Sequence, residues 1–301
     1  MSDADPNLAR QKLEAALGGN GQVVMPTDAQ SPILTVPVRA ALHQWLFEMN
    51  SEDELAEVGL KPRSRCLLSG PPGCGKTTLA HHIAARLGVP MLIVQSHELV
   101  SMYKGESGRN IGKLFADARR QHDGVALFFD EFDALGTKRE NMSGSGADNE
   151  RAAITIALLQ EFDRFDGLLF AATNVTGAID PALWRRFQMQ IEIGMPGASE
   201  RFAIVRMYID PFAADDETVT AIANAMAGAS PALIREGCEM IKRSIVLGPK
   251  MNLPTDLPSI MERFANGASP ADGMEVPRLW SDRRGALNDL RRAPWPPERK
   301  A

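Results

Sequence analysis

The chain reads as an α/β sandwich followed by a small helical domain. Two observations predict this. Five short, almost unbroken apolar runs, Arg65–Ser69, Pro90–Gln95, Val125–Asp130, Leu168–Thr173 and Met189–Ile193, alternate with stretches of helical spacing. Unbroken apolar runs of this length mark parallel strands covered on both faces. After Pro196 the strand-like runs stop. Only helical spacing remains, at about Ser199–Ile209, Glu217–Ala227, Pro231–Leu247 and Thr255–Asn266. Strand–helix alternation implies right-handed crossovers. Ligands on such sheets bind at the carboxyl ends of the strands.

Composition sets the outer bounds. A chain of 301 residues, 44% hydrophobic, holds one large domain or two smaller ones with a sizeable core. A net charge of −5 gives no pull toward nucleic acid or an anionic membrane. Cys66, Cys74 and Cys238 lie far apart without C-x-x-C spacing, so neither a disulfide framework nor a zinc site is implied. A reducing, cytoplasmic setting fits. The first residues, MSDADPNLARQ, lack the apolar core of a secretory signal. No apolar run approaches the length of a membrane span.

In chain order, Asn7–Leu17 has helical spacing, with Leu8, Leu13 and Leu17 roughly on one side. Gly18, Gly19, Asn20 and Gly21 then break it. Residues 1–37 are therefore expected to be a short element on a flexible tether. Val38–Leu60 is helical again, with Leu42, Trp45, Leu46 and Met49 as an apolar face. The α/β domain is expected over 38–196, the helical domain over 197–266, and a Pro- and Arg-rich tail over 267–301. Eight of the twenty prolines lie at or beyond Pro249, and the end, RRAPWPPERKA, reads as irregular. Its arginines alternate with Asp282, Asp289 and Glu298, which favours a solvated tail with docked tryptophans over a nucleic-acid surface.

The chemistry is organised around Leu67–Thr78, LLSGPPGCGKTT, which contains G-x-x-x-x-G-K-[ST] as Gly70, Gly75, Lys76 and Thr77. Within Gly70, Pro71, Pro72, Gly73, Cys74 and Gly75, the glycines let the backbone turn tightly and point its N–H groups inward as an anion nest. The following helix adds partial positive charge at its N-terminus. Lys76 is placed to reach the outer phosphates, and the Thr77 hydroxyl, followed by Thr78, to ligate Mg²⁺. A chance glycine-rich turn is the plain alternative. The position between a strand-like and a helix-like run argues for nucleotide binding.

Three further groups stand at strand or helix ends. In ALFFDEFDAL, Asp130 and Glu131 close an apolar strand. Asp130 there suits Mg²⁺, and Glu131 suits activation of a water. Asp133 reads as structural or solvated. In LLFAATN, Asn174 either holds the attacking water or makes an Asx turn, and spacing alone leaves both open. In DPALWRRF, Arg185 and Arg186 end a short helix. Ordinary exposed charge is one reading. A guanidinium delivered to a γ-phosphate from a neighbouring subunit is the other.

In this order, GPPGCGKTT, FFDEFDAL, AATN and DPALWRRF resemble the AAA+ ATPases, most closely the protein-remodelling branch that includes katanin and spastin and the short bacterial AAA proteins. The likeness covers about Val38 to Leu247. It implies a P-loop NTPase sheet of order 5-1-4-3-2, a small all-helical lid, ATP and Mg²⁺ as ligands, and a ring, usually hexameric, with ATP at subunit interfaces. By resemblance, Lys76 and Thr77 are the Walker A residues and Asp130 and Glu131 the Walker B pair. Asn174 is similar to sensor 1, and Arg185 and Arg186 to the trans-acting fingers. Tyr103-Lys104-Gly105 resembles the first pore loop, which grips a protein substrate, with Lys in place of the usual apolar residue. Gly136–Asn149 stands where the family has its second pore loop. GASPAL, Gly228–Leu233, resembles the lid segment that lines adenine and ribose, which places Ile204, Tyr208 and Ala232 near the base.

The resemblance favours an Mg²⁺-dependent ATPase that remodels or translocates a protein. A nucleotide-switched binding module, regulating a partner without threading it, is the competing reading, and Lys104 favours it. A phosphotransferase is disfavoured by Asp130-Glu131, Asn174 and the arginine pair. A DNA-acting role is disfavoured by the acidic net charge and the Tyr103 loop.

Overall fold

The computed structural model describes residues 6–18, 21–99, 106–121, 124–135, 146–270 and 275–299. They divide into two compact units. The first takes residues from 1–32, 36–70 and 76–193. The second takes 33–35, 71–75 and 194–301.

The first unit runs α1 (Pro6–Ala16), β1 (Gln22–Val24), α2 (Val36–Met49), α3 (Glu52–Glu57), β2 (Arg65–Ser69), α4 (Lys76–Arg86), β3 (Met91–Gln95), α5 (Ser96–Leu99) and α6 (Glu106–Arg119). It continues with β4 (Ala126–Asp130), α7 (Gly146–Arg164), β5 (Leu169–Thr173), α8 (Pro181–Trp184) and β6 (Met189–Glu192). The sheet order is β1-β3-β4-β5-β2-β6. Strands β2 to β6 are parallel throughout, and numbered among themselves they follow the expected 5-1-4-3-2. The sheet has one strand more than expected. β1 pairs antiparallel with β3, Val23 opposite Leu92.

That extra strand corrects the tether expected over 1–37. Leu17 and Val23 are fully buried in the sheet's core and Leu13 packs against it. An Arg10–Asp28 ion pair and a Val23 N–H donated to Glu14 Oε1 tie the segment down further. The single helical stretch expected over 38–60 is two helices, parted at Asn50-Ser51.

An aromatic cluster fixes the strand ends on one face of the sheet. Phe115 stacks on Phe129 at 5.8 Å, and Phe132 on Phe162 at 6.0 Å. Phe187 meets Phe132 edge-on at 5.5 Å and Phe162 at 5.6 Å. Each such pair contributes about 0.5–1.5 kcal/mol beyond the area it buries. The cluster couples β4, α6, α7 and the turn after α8. Elsewhere in the core, fully buried Trp45 of α2 packs edge-on against Phe170 of β5 and donates its Nε1–H to the Arg63 carbonyl.

The second unit runs α9 (Ala198–Ile209), β7 (Phe212–Ala213), α10 (Asp216–Ala225), α11 (Pro231–Met251), α12 (Leu257–Gly267), α13 (Arg278–Ser281), α14 (Arg283–Arg292) and β8 (Glu298–Arg299). Four of these helices, α10, α11, α12 and α14, start on side-chain caps. Asp215, Ser230, Asp256 and Asp282 each accept a backbone N–H two or three residues into the helix, contributing about 1 kcal/mol apiece. The core holds Ile204, Val205, Met226, Ile234, Ile241, Leu257, Ile260 and Leu290.

This unit departs from the sequence reading in two ways. It is not all-helical, because β7 and β8 pair antiparallel. The region from Gly267 is not merely a tail, because it holds α13 and α14, with Leu279, Ala286 and Leu290 buried. The prolines end these helices without preventing them. The tryptophans dock by their polar edges. Trp280 Nε1 donates to the carbonyls of Ala265 and Ala268, and Trp295 Nε1 to that of Thr255.

Candidate functional site

The site is built where β2 ends. Leu67, Leu68 and Ser69 are buried between neighbouring strands, so the chain leaves the sheet at Gly70 on a rigid base. Gly70 has φ +144°, and a Cβ there would stand 2.1 Å from the Ile193 carbonyl oxygen. No other residue fits. Gly73 and Gly75 also have positive φ, +75° and +89°, and the space above Gly75 is open. Turns of this kind expose backbone N–H groups on a concave side.

Lys76, the first residue of α4, is buried. Its Nζ donates to the Gly70 carbonyl at 2.8 Å and to Asn174 Oδ1 at 2.6 Å. Strand register explains the second bond. Ser69 and Thr173 are paired neighbours in β2 and β5, so the residues after them, Gly70 and Asn174, leave the sheet side by side. The Thr173 hydroxyl accepts the Val175 N–H at 3.0 Å. Val175 therefore does not depend on the Asn174 side chain, which is spent on Lys76. The Thr77 hydroxyl makes no hydrogen bond among the described residues.

Asp130 lies just beyond the β4–β5 ladder, whose last pair is Phe129 and Ala171. Its Oδ1 accepts the Glu131 N–H at 3.0 Å, and its other oxygen has no partner among the described residues. Glu131 is exposed and left-handed, φ +50° and ψ +46°. A non-glycine residue held there costs of order 1 kcal/mol or more. Two contacts hold it. The Ser96 hydroxyl donates to the Asp130 carbonyl at 2.5 Å and to the Glu131 carbonyl at 3.1 Å. Phe132 is locked into the aromatic cluster. Asp133 has a structural bond, accepting the Thr173 hydroxyl at 2.8 Å.

Arg185 and Arg186 differ in environment. Arg186 reaches Asp163 of α7 with two parallel bonds of 3.1 Å, Nε to Oδ1 and Nη2 to Oδ2. That bond holds the Asp163 carboxyl below its usual range and raises the guanidinium. Phe162 and Phe187, the neighbours of this pair, touch each other, so packing sets its geometry. Arg185 is exposed and makes no ion pair among the described residues.

In the second unit, Pro72 and Gly73 join Met195, Gly228, Ala232 and Pro277 around a cleft of about 200 Å³. Ala232 donates its N–H to the Gly73 carbonyl at 3.1 Å. Cys74 is buried, with Sγ 3.6 Å from Met195 Sδ, a packing position. Ile204 and Tyr208, expected beside Ala232, are not on this cleft. Ile204 is buried in the unit's core and Tyr208 packs against it. The helical spacing of α9 carries no sign of which face it turns inward.

Tyr103, Lys104, Gly105 and residues 136–145 lie outside the described residues. Sequence reasoning missed Ser96 and Asp163. Both act through partners far away in sequence, and neither sits in a recognisable pattern.

The AAA family model, ATPase family associated with various cellular activities, matches residues 66–195. The chain carries an AAA ATPase domain. It is 39% identical over 204 residues to an uncharacterised AAA family ATPase of Sinorhizobium fredii, covering 66% of this chain and 59% of that one. It is 41% identical over 157 residues to a probable 26S proteasome regulatory subunit 10B of Caenorhabditis elegans, covering 50% and 38%. It is 36% identical over 166 residues to the ATP-dependent zinc metalloprotease FtsH of Acidimicrobium ferrooxidans, covering 53% and 25%. The chain therefore spans less than two thirds of the length of each of these relatives. Among the described residues no helix of the chain is long and apolar enough to cross a membrane.

Proposed function

We propose that the protein is an Mg²⁺-dependent ATP hydrolase that works as a ring of identical subunits, hexameric by family likeness, and remodels or translocates a protein. The observation that carries the hydrolase reading is the Lys76–Asn174 bond, which brings the phosphate-loop lysine and the strand-end asparagine to one point. The nest at Gly70, Gly73 and Gly75 suits phosphate oxygens. Among the described residues no group of three or more His, Cys, Asp or Glu side chains could hold a metal alone. Mg²⁺ needs only one or two protein ligands beside substrate phosphates, and the spare oxygens of Thr77 and Asp130 meet that need. A bound Mg²⁺ neutralises charge on the β- and γ-phosphates.

The roles of the chain's own groups follow. Lys76 exchanges its neutral acceptors for γ-phosphate oxygen. Glu131 takes a proton from the attacking water. Asn174, released by Lys76, orients that water. Arg185 is the finger offered to a neighbour's γ-phosphate, and Arg186, fastened to Asp163, positions it. The cleft at Ala232 takes the adenosine end. The two named relatives, a proteasome regulatory subunit and an ATP-dependent protease, support a protein as the thing acted upon. Lys104 in the Tyr103-Lys104-Gly105 triplet supports the second reading, an ATP-switched binding module. Removing the Tyr103 ring separates them: threading loses remodelling and keeps ATPase activity, whereas a switch is almost unaffected.

Calorimetric titration with Mg·ATP tests the nucleotide site. Wild type is expected to bind, and Lys76→Ala to lose most of that binding while melting as wild type does. Equal binding by Lys76→Ala would remove the loop from the mechanism.

A further inference from the structure

In the second unit Arg206 pairs with Asp216, Arg243 with Glu239 and Arg278 with Asp289. Three arginines of α14 are arranged differently. Arg284 and Arg291 stand seven residues apart, two helical turns, so they share one side of the helix about 10 Å from each other. Arg283 adjoins Arg284. Arg283 donates to Asn266 Oδ1 at 2.8 Å and Arg291 to Asn288 Oδ1 at 3.0 Å, both neutral amides. Arg284 is exposed and donates to no group among the described residues. None of the three makes an ion pair among those residues.

These side chains line a groove of about 430 Å³ between α12 and α14. Glu262 of α12 lines it too, with Asn288 and an edge of the largely buried Leu287 from α14. Three cations therefore share the groove with one acid. Glu262 is exposed and pairs with none of them. No aromatic ring among the described residues lines the groove.

We propose that this groove binds an acidic, extended segment of a partner protein, with two of its carboxylates taken by Arg284 and Arg291. The chemistry of the groove selects that occupant. A guanidinium takes a carboxylate through two parallel hydrogen bonds. A polyproline-II segment with acids three residues apart presents two carboxylates on one side, about 9 Å from each other. That matches the spacing of Arg284 and Arg291. Leu287 gives an aliphatic side chain between the acids an apolar contact. Glu262 accepts a peptide N–H, which the backbone of a nucleic acid does not offer. A nucleic acid sets phosphate against Glu262 and finds no ring on which to stack a base. The chain's net charge of −5 repels a long polyanion, whereas a short acidic stretch meets only the local cations within a Debye length. Neither the nucleotide nor a second copy takes part, so the groove is independent of the ATP site.

Fluorescence anisotropy on the full chain tests it. The probe is a fluorescein-labelled peptide with glutamates three residues apart and leucine and alanine between them. The controls are the same peptide with glutamine for every glutamate, and a single-stranded oligothymidylate of matching charge. Wild type is expected to bind the glutamate peptide saturably and both controls about tenfold more weakly or worse. Arg284→Glu with Arg291→Glu is expected to weaken the glutamate peptide by about tenfold or more, since carboxylate then meets carboxylate. Lys12→Glu with Lys113→Glu removes the same charge from exposed positions on α1 and α6. It is expected to bind within about twofold of wild type, because those positions lie outside the groove. Melting curves check each fold, and Mg·ATP titration is expected to be unchanged in every variant. If the reversed chain melts early, Arg284→Gln with Arg291→Gln takes its place, with a loss of about tenfold expected. The proposal is overturned if wild type does not bind the glutamate peptide saturably, or binds the glutamine peptide equally well. It is overturned too if a folded variant at Arg284 and Arg291 binds as wild type does, or if the lysine variant loses as much. An oligonucleotide bound as tightly as the peptide would make the groove a nucleic-acid surface instead. Each of these failures leaves the ATP-site reading intact.

Discussion

Lys76 Nζ lies 2.6 Å from Asn174 Oδ1. The bond ties the first residue of α4 to the residue after β5, whose end register sets beside that of β2, and it occupies the ammonium that γ-phosphate would claim. In the proposed cycle this is the resting bond, broken when ATP enters. Asn174→Ala should therefore leave ATP affinity within a few-fold and slow turnover by about 10²–10³, the cost of one lost polar contact to the reacting centre. Equilibrium binding and steady-state phosphate release measure the two effects separately.

The arginine pair makes an asymmetric prediction. Arg185→Ala should reduce turnover by about 10³ or more with ATP affinity kept, as for fingers acting on a γ-phosphate. Asp163→Asn should cost less, because it only loosens Arg186. Its effect on stability should be below about 1 kcal/mol, since the ion pair is largely exposed. Mixing Arg185→Ala with Glu131→Gln chains should recover turnover, because one intact interface forms between them. Two inactive chains that stay inactive together, while co-sedimenting, would count against a finger supplied in trans.

The aromatic cluster is expected to hold the site as well as the fold. Phe162→Ala removes a fully buried ring that touches Phe115, Phe129, Phe132 and Phe187. A loss of about 3–5 kcal/mol is expected in urea unfolding. Phe162→Leu should recover part of the stability and less of the turnover, because the rings that aim Glu131 and Arg186 lose their common partner.

Acid should weaken the first unit through Glu48 and Arg63. Their side-chain hydrogen bonds hold the Glu48 carboxyl below its usual range. A carboxylate depressed in the folded state contributes stability that is present above its unfolded value, about pH 4.3. That contribution is lost as pH falls through the lower folded value. Glu48→Gln should be less stable than wild type at pH 7, and the gap should close on acidification below about pH 4. A gap that stays constant with pH would mean the pair contributes nothing through its charge.

Much of this was legible in the sequence, for physical reasons. A buried parallel strand must be apolar throughout, so the runs ending at Ser69, Gln95, Asp130 and Thr173 showed themselves. The phosphate loop was legible because glycine is the only residue that tolerates the Gly70 approach to Ile193. β1 was not, because three residues of an antiparallel edge strand carry too little pattern. Helix α14 was hidden by its arginines and by the prolines around it, although Ala286, Leu287 and Leu290 keep helical spacing. The hold on Arg186 was invisible because Asp163 comes from a helix 23 residues upstream.

Replacing the carboxylate of Glu131 while keeping its shape is the most direct test of the central claim. In a single-turnover experiment, Glu131→Gln is expected to bind Mg·ATP about as tightly as wild type and to hold it unhydrolysed. Release of phosphate at a rate near that of wild type would contradict the assignment of Glu131 as the base, and with it the hydrolytic mechanism proposed for this site.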